Sequence, residues 1–508
     1  MQPVLASFSS AASSTDSSWT SSLEFFFTEG AKILDKASGH LFLYLLAWLL
    51  VLGGLYFTVR TGFVQLRLFP YMVRAITSSR GGKEGGISSF QAFAVGLASR
   101  VGTGNIVGVA IAITMGGPGA VFWMWVVATV GMATGFIEAT LAQLYKVTHP
   151  DGSFRGGPAY YIQRGLGSKP AARVFAVVIT FVFGFAYEAT QANTIAATME
   201  STFHVEPWMT AVALVVITTP IIFKGIKSVA AVSEWLVPIM TVVYALIAVA
   251  ILVLHVTAIP GAILSIFEGA FGVDQAFAGT AGGFTAALLN GTRRGLFSNE
   301  AGEGSVPNIA ATATVPHPVQ QGFIQAFGVV VDTLFVCTAT ALAILVAGAD
   351  VLQPGASAKE SAGTLTQDAI AHLVGEWSRW PMALLVVVLA YTTIIGAFSY
   401  AQVCLDYLTD RPWVARALQI GAVICAGIGS VQQLTTVWTL ADVLLGLGAI
   451  INLVALVLLS RWVVGALRDW EARRGTSTAE GDKSVFRRDS EYLPAPLPEG
   501  AWEGAGDR

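Results

Sequence analysis

Short polar stretches interrupt an otherwise apolar chain, and their residue types suit the binding of small ligands. The first is Gly102-Thr103-Gly104-Asn105, with Arg100 just upstream, inside an apolar run from Ala98 to Val121. Each glycine costs about 1 kcal/mol in a helix relative to alanine, so a regular helix is weakened there. A helix broken at membrane depth is tolerated only where its freed backbone groups face protein, water or a ligand. The spacing therefore predicts a discontinuous helix whose second half begins near Asn105 and aims its amides and positive dipole end at an anion. In transporters such a break holds a substrate carboxylate, with unwound carbonyls left for a cation. The blander role of these glycines is to let helices approach closely. The side-chain amide of Asn105, able to donate and accept within the break, tips the balance toward a site.

The second stretch, Ser298-Asn299-Glu300-Ala301-Gly302-Glu303, puts two carboxylates and two neutral polar groups inside another apolar segment. Ionisable residues at that depth are candidates for function by default. For Glu300 and Glu303 the structural alternative, pairing with Arg293 or Arg294 across the break, is favoured; for Ser298 and Asn299, ligand contact is. Tyr187, Gln191 and Thr194 share one helical face by their spacing, which makes Gln191 a pocket candidate beside its plainer role as interhelical glue. Thr392 and Thr393 could bond back to their own helix or give hydroxyl oxygens to a small hard cation. Asp332 and Thr333 are weaker candidates for the same cation, and Glu138 reads as structural. The six histidines form no metal-binding spacing, and Cys337, Cys404 and Cys425 read as reduced buried thiols. No nucleophile, base and orienting partner can be assembled from local motifs, so an enzyme is not indicated.

The elements that must position these residues follow from composition. Of 508 residues 54% are hydrophobic and 12% charged, against about 25% charged in soluble domains, which leaves a membrane protein of many spans. Basic residues are scattered through loops, with nothing to suggest nucleic-acid binding. The first twenty residues, rich in Ser and Ala, lack the basic and apolar regions of a signal peptide, and residues 1–40 read as an extracellular segment. With about 20 apolar residues needed per span, the chain divides into roughly eleven: one at 41–58, five within 88–258, and, after an interfacial stretch near 261–275, five within 280–461. Residues 470–508, charged and rich in Pro and Gly, read as a disordered cytoplasmic tail. If the loop 59–87 is cytoplasmic, Lys32, Lys36, Lys359 and Arg379 are the only basic residues outside the spans on the opposite side. The positive-inside rule then puts the N-terminus outside and the C-terminus in the cytoplasm of a cell-membrane protein. Because five is odd, the second set of five enters from the other side. The expected fold is all-α and polytopic: one extra N-terminal span plus an inverted 5+5 repeat whose first and sixth core helices are broken.

The stretch GLASRVGTGNIVGVAIAITMGGPGAVFWMWVVATVGMATGFIEATLAQLYK (96–146) resembles the alanine or glycine:cation symporter family. So do TQANTIA (190–196), RGLFSNEAGEGSVP (294–307), DTLFVCTATAL (332–342) and CLDYL (404–408). The resemblance covers most of the chain from about 40 to 465 and implies a leucine-transporter-type fold. It further implies sodium-coupled import of a small neutral amino acid by alternating access, with no organic cofactor. Carried over residue by residue, it puts Gly104, Asn105, Gln191, Ser298, Asn299 and Thr393 at the amino acid. Sodium would be held by the carbonyls of Ala98 and Val101 and the hydroxyl of Thr392, with Thr393 a further candidate. Many family members carry Trp where this chain has Ala397. Unless Phe398 or another ring refills that wall, the pocket is larger and an amino acid such as glutamine becomes a plausible cargo. A proton-coupled or sodium-independent carrier of the same fold is the alternative, with Glu300 and Glu303 the suspects; a channel or a membrane-embedded enzyme is more remote. Oligomeric state is left open by the sequence.

Overall fold

A computed structural model describes residues 36, 39–77, 86–271, 282–348, 351, 358–432, 435–474 and 486–503. The chain is mostly helical. Helix α1 (Gly39–Arg60) is the extra N-terminal helix, and a short amphipathic helix, α2 (Phe69–Thr77), follows it. The first predicted discontinuous helix is two helices, α3 (Ser89–Arg100) and α4 (Gly104–Gly116), bent by 49° at their junction. A capping box starts α3: Ser88 Oγ accepts from the Gln91 amide, and the Gln91 side chain accepts from the Ser88 amide. Then come α5 (Gly119–Leu144), a two-stranded hairpin of β1 (Val147–Thr148) and β2 (Phe154–Arg155), and α6 (Pro158–Leu166), with proline at its first position and Gly167 in the left-handed conformation at its end.

Helices α7 (Lys169–Phe203), α8 (Pro207–Ile222), α9 (Ile226–Leu254) and α10 (Ile259–Phe271) complete the first half. The second half opens with α11 (Gly282–Asn299) and α12 (Val306–Ala310), again two helices where the sequence predicts one interrupted span. It continues through α13 (Pro318–Ala347), α14 (Ala358–Val374), α15 (Arg379–Leu408), α16 (Pro412–Val431) and α17 (Thr435–Arg473). Among the described residues eight helices are long and apolar enough to cross a membrane, or nine with α3 and α4 counted as one broken span. Of the remaining expected spans, 208–223 is the shorter apolar helix α8 and 280–313 is the interrupted pair α11 and α12. The expected interfacial stretch 261–275 begins inside α10, and its end lies outside the described residues.

Packing divides the helices into two groups. α5 lies against α11 and α13, whereas α7 lies against α15 and α16; α3 touches both α12 and α15. Between them runs one apolar core with Tyr161, Phe183, Phe323 and Tyr400 fully enclosed. The large exposed apolar residues sit on outer faces, such as Trp235, Leu246 and Val253 of α9, where lipid replaces water as the solvent.

One expectation fails clearly. Helix α17 continues to Arg473, and residues 486–503 are folded against the protein instead of forming part of a disordered tail. Phe486, Leu493, Leu497 and Trp502 are buried there. Its Pro, Gly and charged composition masked four well-spaced apolar anchors.

Candidate functional site

At the first break Val101 leaves the helical conformation (φ −83°, ψ 83°) and Gly102 turns the chain. A Cβ on Gly102 would come within 2.2 Å of Thr393 Oγ1, so only glycine lets α15 approach this closely. The Thr393 hydroxyl lies 3.1 Å from the Ala98 carbonyl oxygen, 3.3 Å from that of Ser99 and 3.1 Å from that of Leu389. This is a cluster of neutral oxygens, the donor set a small hard cation prefers. Thr392, the residue first assigned to sodium, points elsewhere: its hydroxyl donates to its own Leu389 carbonyl at 2.9 Å and lies 3.5 Å from Met240 Sδ. Thr393 is thus the threonine that faces the break.

Asn105 ties the two breaks together. Its Oδ1 accepts from the Gly102 amide at 3.0 Å, and its Nδ2 reaches Ser298 Oγ at 2.9 Å and Asp332 Oδ1 at 2.7 Å. Ser298 Oγ donates to Asp332 Oδ1 at 2.5 Å, and Cys337 Sγ lies 3.3 Å from Asn105 Nδ2. Every one of these side chains is fully buried. Asp332 ranks low in the sequence because helical spacing does not point it anywhere special. A π-helical stretch from Val330 to Cys337 within α13 changes that spacing and brings Asp332 and Cys337, five apart, to the same amide. Gln191 also meets the first break, its Oε1 accepting from Thr103 Oγ1 at 3.0 Å.

Asn299 turns the other way from Ser298. Its Oδ1 accepts from the Ala301 amide at 3.0 Å, and its side chain lies against Gly131 of α5. Phe297 is the ring that lies against the first break. Gly104 packs under the ring of Phe297, which would sit 3.0 Å from a Cβ there, and Phe297 lies 5.5 Å from the Tyr187 ring. Phe398, fully buried on α15, is five residues beyond Thr393 and so turned roughly 140° around the helix from it; Ala397 stays beside it. The ring against the first break is Phe297, a residue that no spacing in the sequence singles out.

The second break is held by carboxylates of a different set from the one expected. Glu300 (φ 54°), Gly302 (φ 98°) and Gly304 (φ 83°) take positive φ. This lets the amides of Gly302 and Gly304 both donate to Glu138, at 3.0 and 3.1 Å. Asn452 Nδ2 donates to the same carboxylate at 2.6 Å. Glu300 accepts from Ser99 Oγ at 3.0 Å and from Ser305 Oγ at 2.6 Å. Arg293 pairs with Asp442 of α17, and Arg100 donates to the Gln325 carbonyl at 3.1 Å. Glu138 is structural, as read from the sequence, and it is the principal clamp.

The family profile described as the sodium:alanine symporter family matches residues 28–486. The amino-acid carrier protein AlsT of Bacillus subtilis is 43% identical over 459 residues, which is 90% of this chain and 95% of AlsT. The probable sodium/glutamine symporter GlnT of the same organism is 41% identical, covering 90% of this chain and 93% of GlnT. Among solved structures, the crystal structure of MhsT in complex with L-phenylalanine matches with a TM-score of 0.54 at 14% identity, over 76% of this chain and 93% of that one. At that identity the likeness concerns the fold: this chain shares the leucine-transporter-type architecture.

Proposed function

We propose, from the premise that this chain belongs to the sodium:alanine symporter family and is a sodium-coupled amino-acid symporter, that sodium and substrate meet at the first break. Sodium is held by the carbonyls of Ala98, Val101 and Leu389 with the hydroxyl of Thr393. The observation that carries this is the Thr393 oxygen, 3.1 Å from carbonyls on two different helices, α3 and α15. A cation there draws the broken helix and α15 together, because its ligands come from both.

The amino acid lies between the breaks, its carboxylate at Gly104 and the start of α4, where the helix dipole is positive. Asn105, Ser298 and Gln191 bound it, and the Asp332 carboxyl, beside Asn105 and Ser298, is the acceptor for its ammonium. Asn299 supports the second break in place of touching the ligand. Phe297 and Tyr187 form the wall over Gly104, while Ala397 leaves room that a Trp would fill. The cargo is a small neutral amino acid of the alanine class, with space for a side chain as long as that of glutamine. Alternating access follows if each ligand favours states the other also favours, since a ligand shifts an equilibrium only by its differential affinity. The protein sits in the cell membrane with its C-terminus on the cytoplasmic side, a reading that the basic-residue distribution supports.

The test is uptake of labelled alanine into proteoliposomes under an inward sodium gradient, with choline in place of sodium as control and unlabelled glutamine as competitor. Thr393→Val is expected to raise the sodium concentration for half-maximal uptake about tenfold, the loss of one good oxygen contact, and Thr392→Val to change it little. Equal effects of the two would overturn the assignment. Equal uptake in choline would remove sodium coupling itself.

A further inference from the structure

All of residues 486–503 but Phe486 lie beyond the family match, which ends at residue 486, and they dock across four separate pieces of the protein. The Phe486 amide donates to the Pro316 carbonyl, and its ring packs edge-on against His317, 5.0 Å between centroids. Ser490 Oγ donates to Asp469 of α17 at 2.5 Å, and His317 lies 3.1 Å from the same carboxylate. The backbone at Tyr492 runs so close to α17 that a Cβ on Gly465 would meet its carbonyl oxygen at 2.4 Å. Farther along, Arg164 of α6 donates to the Glu499 carbonyl, and the Ala501 amide donates to the Lys146 carbonyl. Trp502 closes the segment: its Nε1 donates to the Gln143 carbonyl at 2.8 Å, and its ring packs on Phe486 and beneath the Lys146 ammonium. Two backbone bonds, Leu497 to Arg488 and Arg488 to Glu503, fold the segment on itself.

These anchor points belong to parts that transport must move apart. Gln143 lies in the last turn of α5 with Lys146 just beyond it, and Pro316 and His317 lead into α13, so both pairs belong to the group that carries the two breaks. Arg164 lies on α6, which leads directly into α7 of the other group. Alternating access rocks one such group against the other around a fixed site. A segment fastened to both at one end opposes opening at that end.

We propose that residues 486–503 form a strap that restrains transport by holding α5 and the entry to α13 against α6. It rests on the symporter reading for its consequence and on the contacts above for its existence. Freed of the strap, the protein opens more readily at that end, so the maximal rate rises while the ligand site, distant from the strap, keeps its affinity.

Three proteins test this: the full chain, Trp502→Ala, and a chain ending after residue 485. The expected result is at least a threefold rise in maximal sodium-driven uptake in both variants, with half-saturating sodium and amino acid within twofold of the full chain. Amide hydrogen exchange at 143–146 and 310–317 should quicken in both at an unchanged melting temperature. An unchanged rate, a rise in only one of them, or a rate that falls together with the melting temperature overturns the strap. If the full chain shows no sodium-dependent uptake, the symporter reading fails, and the exchange measurement alone decides the strap: no change in Trp502→Ala would sink it.

Discussion

Between Arg100 and Gly104 the helix is interrupted by small neutral residues, whereas between Asn299 and Val306 it is interrupted by two carboxylates and three residues at positive φ. The first break is crossed by a hydroxyl, Thr393, and by an amide, Asn105, both of which can exchange a protein partner for a ligand. In the second, Glu138 takes two backbone amides and Asn452, and Glu300 takes two serines, while Glu303 Oε2 is buried without a hydrogen-bond partner among the described residues. A carboxylate that accepts several charge-assisted bonds is strongly held. Breaking a helix at membrane depth can therefore serve two ends: on the proposed reading the first break stays available for ligands, while the second is held as a frame. On the proposed reading, Ser298, two residues before Glu300, is where the frame meets the ligand site.

The largest expected effect comes from closing the first break. Gly102→Ala puts a methyl group 2.2 Å from Thr393 Oγ1. Rotating Thr393 out of the way takes its hydroxyl from the Ala98 carbonyl. Overpacking of this kind costs about 2–3 kcal/mol, so sodium-driven uptake should fall about 30- to 140-fold. Near-normal uptake in this variant would mean that the contact between α15 and the break is unimportant.

The complementary change is Glu138→Gln. It keeps the shape but turns an NH2 toward amides that need an acceptor. Losing charge-assisted bonds costs about 2 kcal/mol, read as a melting temperature lower by roughly 5 °C. Half-saturating sodium, measured on the protein that remains folded, should stay within about twofold, well under the tenfold that 1.4 kcal/mol would give. If sodium affinity weakened as much as in Thr393→Val, the second break would be part of the ion site and the distinction between the breaks would fall.

How far these differences can be read in the sequence depends on their range. Both interruptions are local, made of Gly102, Gly104, Gly302 and Gly304, and helix propensity alone exposes them. The face shared by Tyr187 and Gln191 is also local; Gln191 accepts from Thr103 at the first break, and Tyr187 lies against Phe297. What is hidden depends on tertiary placement or on a change of helical period. Thr392 and Thr393 are adjacent, and only the packing of α15 decides which one faces Ala98. Asp332 gains its place from a π-helical stretch, and Phe297 from being carried over Gly104 by the other half of the molecule. The partner of Arg293 is Asp442, far away on α17, so pairing it with Glu300 or Glu303 by proximity in sequence fails. The strap is hidden for the opposite reason: composition outvoted a few well-spaced aromatic residues.

The smallest effect concerns how firmly the frame is anchored at its far end. Helix α12 is followed by Ala313, whose carbonyl accepts from Gln143 Nε2 and from Lys146 Nζ, both at 3.0 Å. Lys146 lies beyond the end of α5, and burial pushes its ammonium down to about 7. The rings of Phe154 and Trp502, 4.2 and 4.8 Å away, act in the other direction by favouring the cation. An exposed lysine titrates near 10.4, so docking the strap over this residue favours the neutral amine. Below pH 7 the amine is protonated in both states and the docked form is at its weakest; as the pH rises above 7 the docked form gains. The ratio of the Trp502→Ala uptake rate to that of the full chain should therefore grow between pH 6 and pH 8, by about two- to threefold once the rings are allowed for, against the tenfold per unit that an unopposed shift permits. Lys146→Met should flatten that ratio. A ratio that falls with pH would mean the two rings outweigh burial, and the end of the frame would then be held by a charged lysine.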